Sequence, residues 1–131
     1  MPGPATLPLQ ICYTHPMALA KKTLKQLRDR DDHCWHCGAE GELLVPHHRK
    51  NRQAGGSKSR ENDITNLMMI CAGWNGRIES SADHAAAARS VGHKLRSWQD
   101  TWNPVYDFQD GRWYRLEQDG TKTETTDEVP F

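Results

Sequence analysis

Two adjacent histidines and three later polar residues constrain the fold of this chain more than any other feature. His47 and His48 end a short apolar run, and Asn66 lies eighteen positions after the second histidine, where another apolar run begins. Asn75 and Glu79 follow four positions apart, a spacing that places two side chains one turn apart on the same face of a helix. These residues can act together if the histidine-bearing strand packs against the helix that carries Asn75 and Glu79.

The size of the chain limits the core that can hold such an arrangement. With 131 residues, 36% of them hydrophobic, and a mean hydropathy of -0.85, the chain is predicted to form one small domain whose order depends partly on a metal or a partner. The prolines within residues 1–16 resist helix and sheet alike and predict a flexible N-terminal arm. We expect the main domain to cover 17–98 and a C-terminal extension with an acidic tail to cover 99–131.

Local patterns predict an α+β fold. From residue 17, apolar residues at helical spacing predict an amphipathic N-terminal helix, whose basic side is either a solvated face or a DNA contact. ELLVPHH and ITNLMMI predict two short strands, and the alanine-rich stretch after them predicts helix that breaks at Ser80 and Ser81 and stops at Gly92. VYDF and RWYRLE, on either side of an Asp-Gly turn, predict a β-hairpin, and the polar residues beyond it are expected to fray.

Basic residues cluster around the histidines although the net charge of the chain is zero. A local basic patch attracts phosphates even when the whole protein is neutral, so DNA is a predicted partner. Solvated loop charges are an equally common alternative. The candidate DNA contacts lie within 47–60, a segment without carboxylates: Arg49, Lys50, Arg52, Lys58 and Arg60.

The sequence also bears on the compartment. No apolar run approaches the length of about 18 residues that crosses a bilayer, and the first residues lack the pattern of a secretory signal. We therefore expect a cytoplasmic protein without a membrane partner.

The polar residues of the opening pattern can form a site for a hard cation. Asn75 and Glu79 offer an amide oxygen and a carboxylate, and His47 can add a third ligand from the end of a strand. His48 can act as a base, because a neutral imidazole can take a proton from water near neutral pH. Successive strand residues point to opposite faces, so both histidines serve one site only at a strand end. Asn66 is expected to bridge the loop backbone and hold the histidine-bearing strand in place.

CWHC, HHR, the GGSK loop, TNL and MICAGWN together resemble the HNH endonuclease family over roughly residues 33 to 95. The resemblance implies a ββα-metal core, in which two strands, a long loop and a helix surround one divalent ion, and an activity that cuts DNA phosphodiester bonds. By position, His48 corresponds to the general base, His47 to the metal ligand before it and Asn66 to the central asparagine.

Asn75 departs from the family pattern because it occupies the place of the final histidine, which makes this an HNN-type member. Glu79 lies where some members place another ligand. An amide oxygen in place of an imidazole favours Mg²⁺ or Mn²⁺ over softer ions. The family's distribution suggests a phage or mobile-element origin, with low sequence specificity and recruitment by other proteins, as in genome packaging or homing. The alternative is a catalytically inactive DNA-binding module of the same fold.

Three cysteines follow a zinc-binding pattern that is incomplete. Many family members hold a structural Zn²⁺ with two C-x-x-C pairs; here Cys34 and Cys37 form the first, but Trp74 stands where the partner of Cys71 would be. The candidates for a fourth zinc ligand that lie outside this pattern are Cys12, His33 and His36. Reduced and buried thiols are the competing interpretation, with Trp74 as a core residue. No role is assigned to His15, His33, His36, His84 or His93.

Overall fold

The computed structural model of the protein describes residues 19–50 and 61–126, and its first helix, α1, spans Lys21–Arg30. Leu27 lies on the buried face of α1 in a cluster with Ile64, Leu67 and Met69. At the end of the helix, the guanidinium of Arg30 donates to the backbone oxygens of Ile64 and Leu67. The predicted basic helix is thus present, and the arm over 1–16 lies outside the described residues.

Two antiparallel strands follow, β1 over Leu44–His48 and β2 over Leu67–Cys71, with His48 opposite Leu67. β2 is buried on both of its faces, which explains why it reads as an uninterrupted apolar run. Its alternating residues divide between the α1 cluster and a second cluster that contains Met68 and Ile70. The strand therefore lies at the centre of the hydrophobic core.

Helices α2 over Ala72–Ser80 and α3 over Ala82–Ser90 come directly after β2. The predicted break is present, because the side chain of Ser81 accepts the backbone N–H of His84 and caps α3. Gly92 ends this stretch with a φ of +77°. Trp74 of α2 is 3% exposed and belongs to the second cluster, which confirms its predicted place in the core.

The C-terminal region forms an antiparallel sheet of three strands: β3 over Val105–Asp107, β4 over Arg112–Leu116 and β5 over Lys122–Thr125. The predicted hairpin corresponds to β3 and β4, but the expectation that the following residues fray is wrong for β5. Lys122 lies over the rings of Trp35 and Tyr114, at 4.9 and 4.5 Å from their centroids, and this contact helps to hold β5 on the sheet.

The two sheets share one hydrophobic core, because Val105 and Leu116 belong to the same cluster as Met68 and Trp74. The architecture is mixed α+β, as predicted, with two small antiparallel sheets. Within the described ranges, no helix combines the length and apolar character needed to cross a bilayer.

Candidate functional site

His47 points from β1 into the interior and has a protein partner at each ring nitrogen. Its Nε2 lies 2.7 Å from the backbone oxygen of His93, and its Nδ1 lies 3.0 Å from Oδ1 of Asn75. A carbonyl oxygen can only accept, so Nε2 carries the proton and Nδ1 presents a lone pair to Asn75. Burial lowers the pKa of His47 to about 4, so the imidazole is neutral near pH 7.

The contact between His47 and Asn75 joins two acceptor atoms. A ring lone pair and an amide oxygen repel at 3.0 Å unless a cation lies between them or the amide rotates to present its nitrogen. Around a hard cation with ligand bonds of about 2.1 Å, neighbouring ligand atoms at right angles are about 3.0 Å apart. The two atoms therefore fit adjacent ligands of one cation, and a rotated amide is the metal-free arrangement.

Glu79, the third predicted ligand, lies one turn after Asn75 on α2 and is exposed. Within residues 19–50 and 61–126, its carboxylate has no hydrogen-bond or ion-pair partner. The structure thus joins His47 to Asn75 and leaves the Glu79 carboxylate without a hydrogen bond to either side chain.

His48 is the last residue of β1 and has surroundings different from those of His47. Its Nε2 lies 2.8 Å from Oδ1 of Asn62, an arrangement in which the ring donates and Nδ1 keeps its lone pair. The alternation of side chains along β1 accounts for this separation, since His47 is buried and His48 is half-buried. Asn62 was not identified in the sequence, where it is one polar residue in a polar loop.

Asn66 connects the two ends of the segment between β1 and β2. Its Oδ1 accepts the backbone N–H of Lys50 at 2.8 Å, and its Nδ2 donates to the backbone oxygens of Glu61 at 2.9 Å and Lys50 at 3.3 Å. The side chain is 2% exposed and is not a hydrogen-bond partner of the ring of His47 or of His48. These are the loop-bridging contacts that the sequence suggested for an asparagine at this position.

Arg49 was predicted as a DNA contact, and this prediction is wrong. The side chain is fully buried, and burial lowers its pKa to about 9. Its guanidinium is occupied by backbone oxygens, so a phosphate cannot reach it. The acceptors are Gly92 at 2.9 Å, Thr65 at 3.1 Å, Thr101 at 2.9 Å and Asn103 at 2.7 Å.

The other candidate DNA contacts remain predictions. Lys50 is half-buried. The remaining three lie outside the described residues: Arg52, Lys58 and Arg60.

His93 supports the candidate site, a role that no sequence pattern indicated. Its Nε2 donates to the backbone oxygen of Tyr106 at 2.8 Å, and its Nδ1 accepts the indole N–H of Trp74 at 3.1 Å. Burial lowers the pKa of His93 to about 3, which keeps the ring neutral. The backbone oxygen of His93 orients His47, and the ring of His93 is held in turn by hydrogen bonds to β3 and α2.

The sulfur atoms of Cys34, Cys37 and Cys71 lie within 4.8 Å of one another, and this group can hold a metal ion. Backbone N–H groups of His36 and Cys37 donate to the sulfur of Cys34, and the N–H of Trp74 donates to that of Cys71. Burial raises the pKa of the Cys34 thiol, whereas a backbone hydrogen bond from Ala39 lowers the pKa of Cys37 and so favours its thiolate, the form that binds metals. Three converging sulfurs are compatible with zinc.

The three candidates for a fourth zinc ligand differ in their present contacts. Both ring nitrogens of His33 are engaged, with Asp32 at 2.7 Å and Asp107 at 3.1 Å. The ring of His36 stacks on Trp74, with 4.0 Å between the centroids. Cys12 lies outside the described residues.

Comparison of the chain with protein-family models, with curated proteins and with solved structures gives no match. Two arrangements within the described residues could bind a ligand or take part in a reaction. One is the neutral imidazole of His47 facing Asn75, preceding in β1 the separately held ring of His48; the other is the group of three thiols.

Proposed function

We propose that this protein is a metal-dependent DNA endonuclease of the HNH type, which hydrolyses phosphodiester bonds with low sequence specificity. The proposal rests above all on His47, whose Nε2 donates to a backbone oxygen while Nδ1 faces Oδ1 of Asn75 at 3.0 Å. Metal-binding histidines usually donate their second ring nitrogen to a carbonyl or carboxylate in this way. In the proposal β1, β2 and α2 make up the ββα-metal core.

His47 and Asn75 would hold one divalent cation, with Glu79 as the further ligand from α2. One nitrogen and two oxygens favour Mg²⁺ or Mn²⁺ over zinc. When bound, the cation supplies electrostatic stabilisation of the charge that develops on the leaving oxygen.

His48 is the general base in this proposal. Its Nε2–H is held by Asn62, so Nδ1 can take a proton from the water that attacks the phosphorus. Asn66 acts as a positioning residue, because it closes the loop that begins two residues after His48. Neither residue touches the proposed cation.

Plasmid cleavage tests the proposal. Supercoiled plasmid is incubated with Mg²⁺ or Mn²⁺, with and without EDTA, beside His48→Ala and a control, His84→Ala, which removes another half-buried imidazole. We expect nicking or cutting by the wild type and by the control, and a rate lower by about 100-fold or more for His48→Ala. A wild type that binds DNA and leaves the plasmid intact with both metals would refute the nuclease. Equal cleavage by His48→Ala would remove His48 from the mechanism.

A catalytically inactive DNA-binding module is the second candidate, and the burial of His47 favours it. His47 is 3% exposed, and a rotated amide of Asn75 would satisfy its Nδ1 without any metal. Titration with Mn²⁺, followed by electron paramagnetic resonance, separates the two candidates. The nuclease requires a saturable site that Asn75→Ala weakens at least about tenfold; the inactive module predicts no such site.

A further inference from the structure

Two large aromatic side chains are exposed on the loop between α3 and β3. Trp98 is 75% exposed and Trp102 is 54% exposed. Exposed tryptophans are unfavourable in water and are enriched where proteins bind partners. The exposure of both side chains therefore indicates that the loop does more than connect α3 to β3.

The two tryptophans occupy equivalent places in two consecutive turns, 96–99 and 100–103. Each turn is closed by a 3.0 Å hydrogen bond from its fourth amide to its first carbonyl, and each has a tryptophan in third position. Side-chain oxygens also accept backbone N–H groups within these turns: Gln99 Oε1 from Arg96 at 2.7 Å, and Asp100 Oδ1 from Trp102 at 2.9 Å. We call residues 96–103 the tryptophan platform.

Hydrogen bonds from buried side chains connect the platform to the core. The buried guanidinium of Arg49 donates to the backbone oxygens of Thr101 and Asn103, and the hydroxyl groups of Thr101 and Thr65 are 2.9 Å apart. A ligand that stacks on the two rings would therefore meet a backbone that is already ordered, which lowers the entropic cost of binding.

A guanidinium lies against each exposed ring. Arg96 is 5.5 Å from the ring centroid of Trp98, and Arg115 is 4.5 Å from that of Trp102. Aromatic faces that stack on bases, beside cations that meet phosphates, are the combination that binds single-stranded nucleic acid.

The platform is also next to the candidate active site. The N–H of Leu95 donates to the backbone oxygen of Arg49 at 2.7 Å, and Leu95 pairs with Lys50 in a parallel bridge. The platform begins one residue after Leu95, and His48 lies one residue before Arg49. A strand of DNA on the platform would therefore lie close to His48.

We propose that the tryptophan platform binds unpaired bases of single-stranded DNA beside the candidate active site. The choice of DNA rests on the proposed function, whereas stacking on the two rings requires neither metal nor catalysis. The proposal specifies the substrate class as DNA with unpaired nucleotides next to the bond that is cleaved.

Fluorescence anisotropy with labelled oligothymidylate, without added Mg²⁺ or Mn²⁺, tests the proposal without cleavage. The full chain is compared with Trp98→Ala, Trp102→Ala, the double variant and Trp98→Phe, and a duplex of the same length serves as the second probe. We expect each alanine substitution to weaken binding to the single strand about fivefold or more. Trp98→Phe should retain most of the affinity, and duplex binding should change less than about twofold, since paired bases cannot stack on the rings.

Leu43→Ala is the matched control, because it removes another large apolar side chain, 63% exposed, outside the platform. Its affinity for the single strand should equal that of the wild type. The proposal is refuted if the wild type does not bind oligothymidylate, if the double variant binds it as tightly as the wild type, or if duplex binding falls equally. If His48→Ala binds oligothymidylate as tightly as the wild type, binding by the platform does not depend on His48. The proposal then holds whatever the outcome of the plasmid assay.

Discussion

The guanidinium of Arg49 joins segments that are far apart in the chain. It donates to backbone oxygens in the turn before β2, in the turn after α3 and in the tryptophan platform. None of these four acceptors is a carboxylate, so carbonyl dipoles surround the buried charge. The carbonyl groups gain partners in return, and leaving them unpaired would be unfavourable.

We expect Arg49→Lys to destabilise the protein by about 2–4 kcal/mol, because one ammonium group cannot reach four oxygens in this planar arrangement. Urea unfolding measures the change. Arg112→Lys is the control, since Arg112 is 59% exposed and pairs with Glu124 on the surface; it should change stability by less than about 0.5 kcal/mol. A loss for Arg49→Lys as small as that of the control would contradict the role given to Arg49.

His93 makes stability sensitive to acid. Burial lowers its pKa to about 3, below the ordinary 6.5, so between these values the unfolded chain binds a proton that the folded chain excludes. Stability contributed by His93 is therefore present above pH 6.5 and declines as the pH falls towards 3. Between pH 7 and pH 5 the expected loss from this one group is on the order of 2 kcal/mol.

Urea unfolding at these two pH values tests the prediction. His93→Gln keeps a donor and an acceptor but does not titrate, so its unfolding free energy should depend less steeply on pH than that of the wild type. Identical pH dependence in the two proteins would show that His93 is not responsible.

At the scale of elements, the end of α3 depends on a close approach between two backbones. Gly92 adopts a φ of +77°, and a Cβ built on it would lie 2.1 Å from the backbone oxygen of Pro104. This approach brings the residues after α3 next to β3, where the backbone oxygen of His93 can orient His47.

We expect Gly92→Ala to destabilise the protein by about 2–4 kcal/mol, because both the backbone conformation and the space are unsuitable for a side chain. Gly76→Ala is the matched substitution inside α2, where an added Cβ meets nothing within 4 Å apart from its chain neighbours and the backbone of its own helix. It should stabilise the protein by about 0.5–1 kcal/mol. Thermal unfolding of both variants is the measurement, and changes of the same sign would contradict the prediction.

For the whole molecule, the three cysteines lie at the junction of the elements that share the main core. Cys34 is fully buried in that core. Cys71 ends β2, and its sulfur accepts the backbone N–H of Trp74 in the first turn of α2. A metal ion held by both residues and Cys37 would therefore connect the turn before β1 to the junction of β2 and α2. Metal binding of this kind adds directly to the stability of a small domain.

We expect the purified protein to contain about one zinc ion per chain, and its removal with a chelator to lower the melting temperature by at least about 5 °C. Elemental analysis and thermal unfolding provide the measurements. Cys37→Ser should lose the zinc, and added zinc but not magnesium should restore the chelated wild type. A metal-free protein whose melting temperature is insensitive to chelator would leave the cysteines as reduced thiols.

The sequence alone predicted the features that depend on neighbouring residues. α1, both strands of the first sheet, the serine-capped break before α3 and the β3–β4 hairpin all follow from local periodicity and turn residues. The contacts of Asn66 with the loop backbone could be suggested because they span a short, definite segment. The incomplete cysteine pattern likewise identified three sulfurs that converge.

Only the tertiary structure determined which polar and aromatic side chains are buried and which partners they have. The partners of Arg49 lie 16 to 54 positions away, so nothing near it in sequence distinguished a buried guanidinium from a basic patch. His93 and Asn62 were equally inconspicuous, since their roles depend on which strand passes beside them. The exposure of Trp98 and Trp102 also depends on how the chain packs. Local pattern determines an element, whereas burial and hydrogen bonding depend on distant segments that folding brings together.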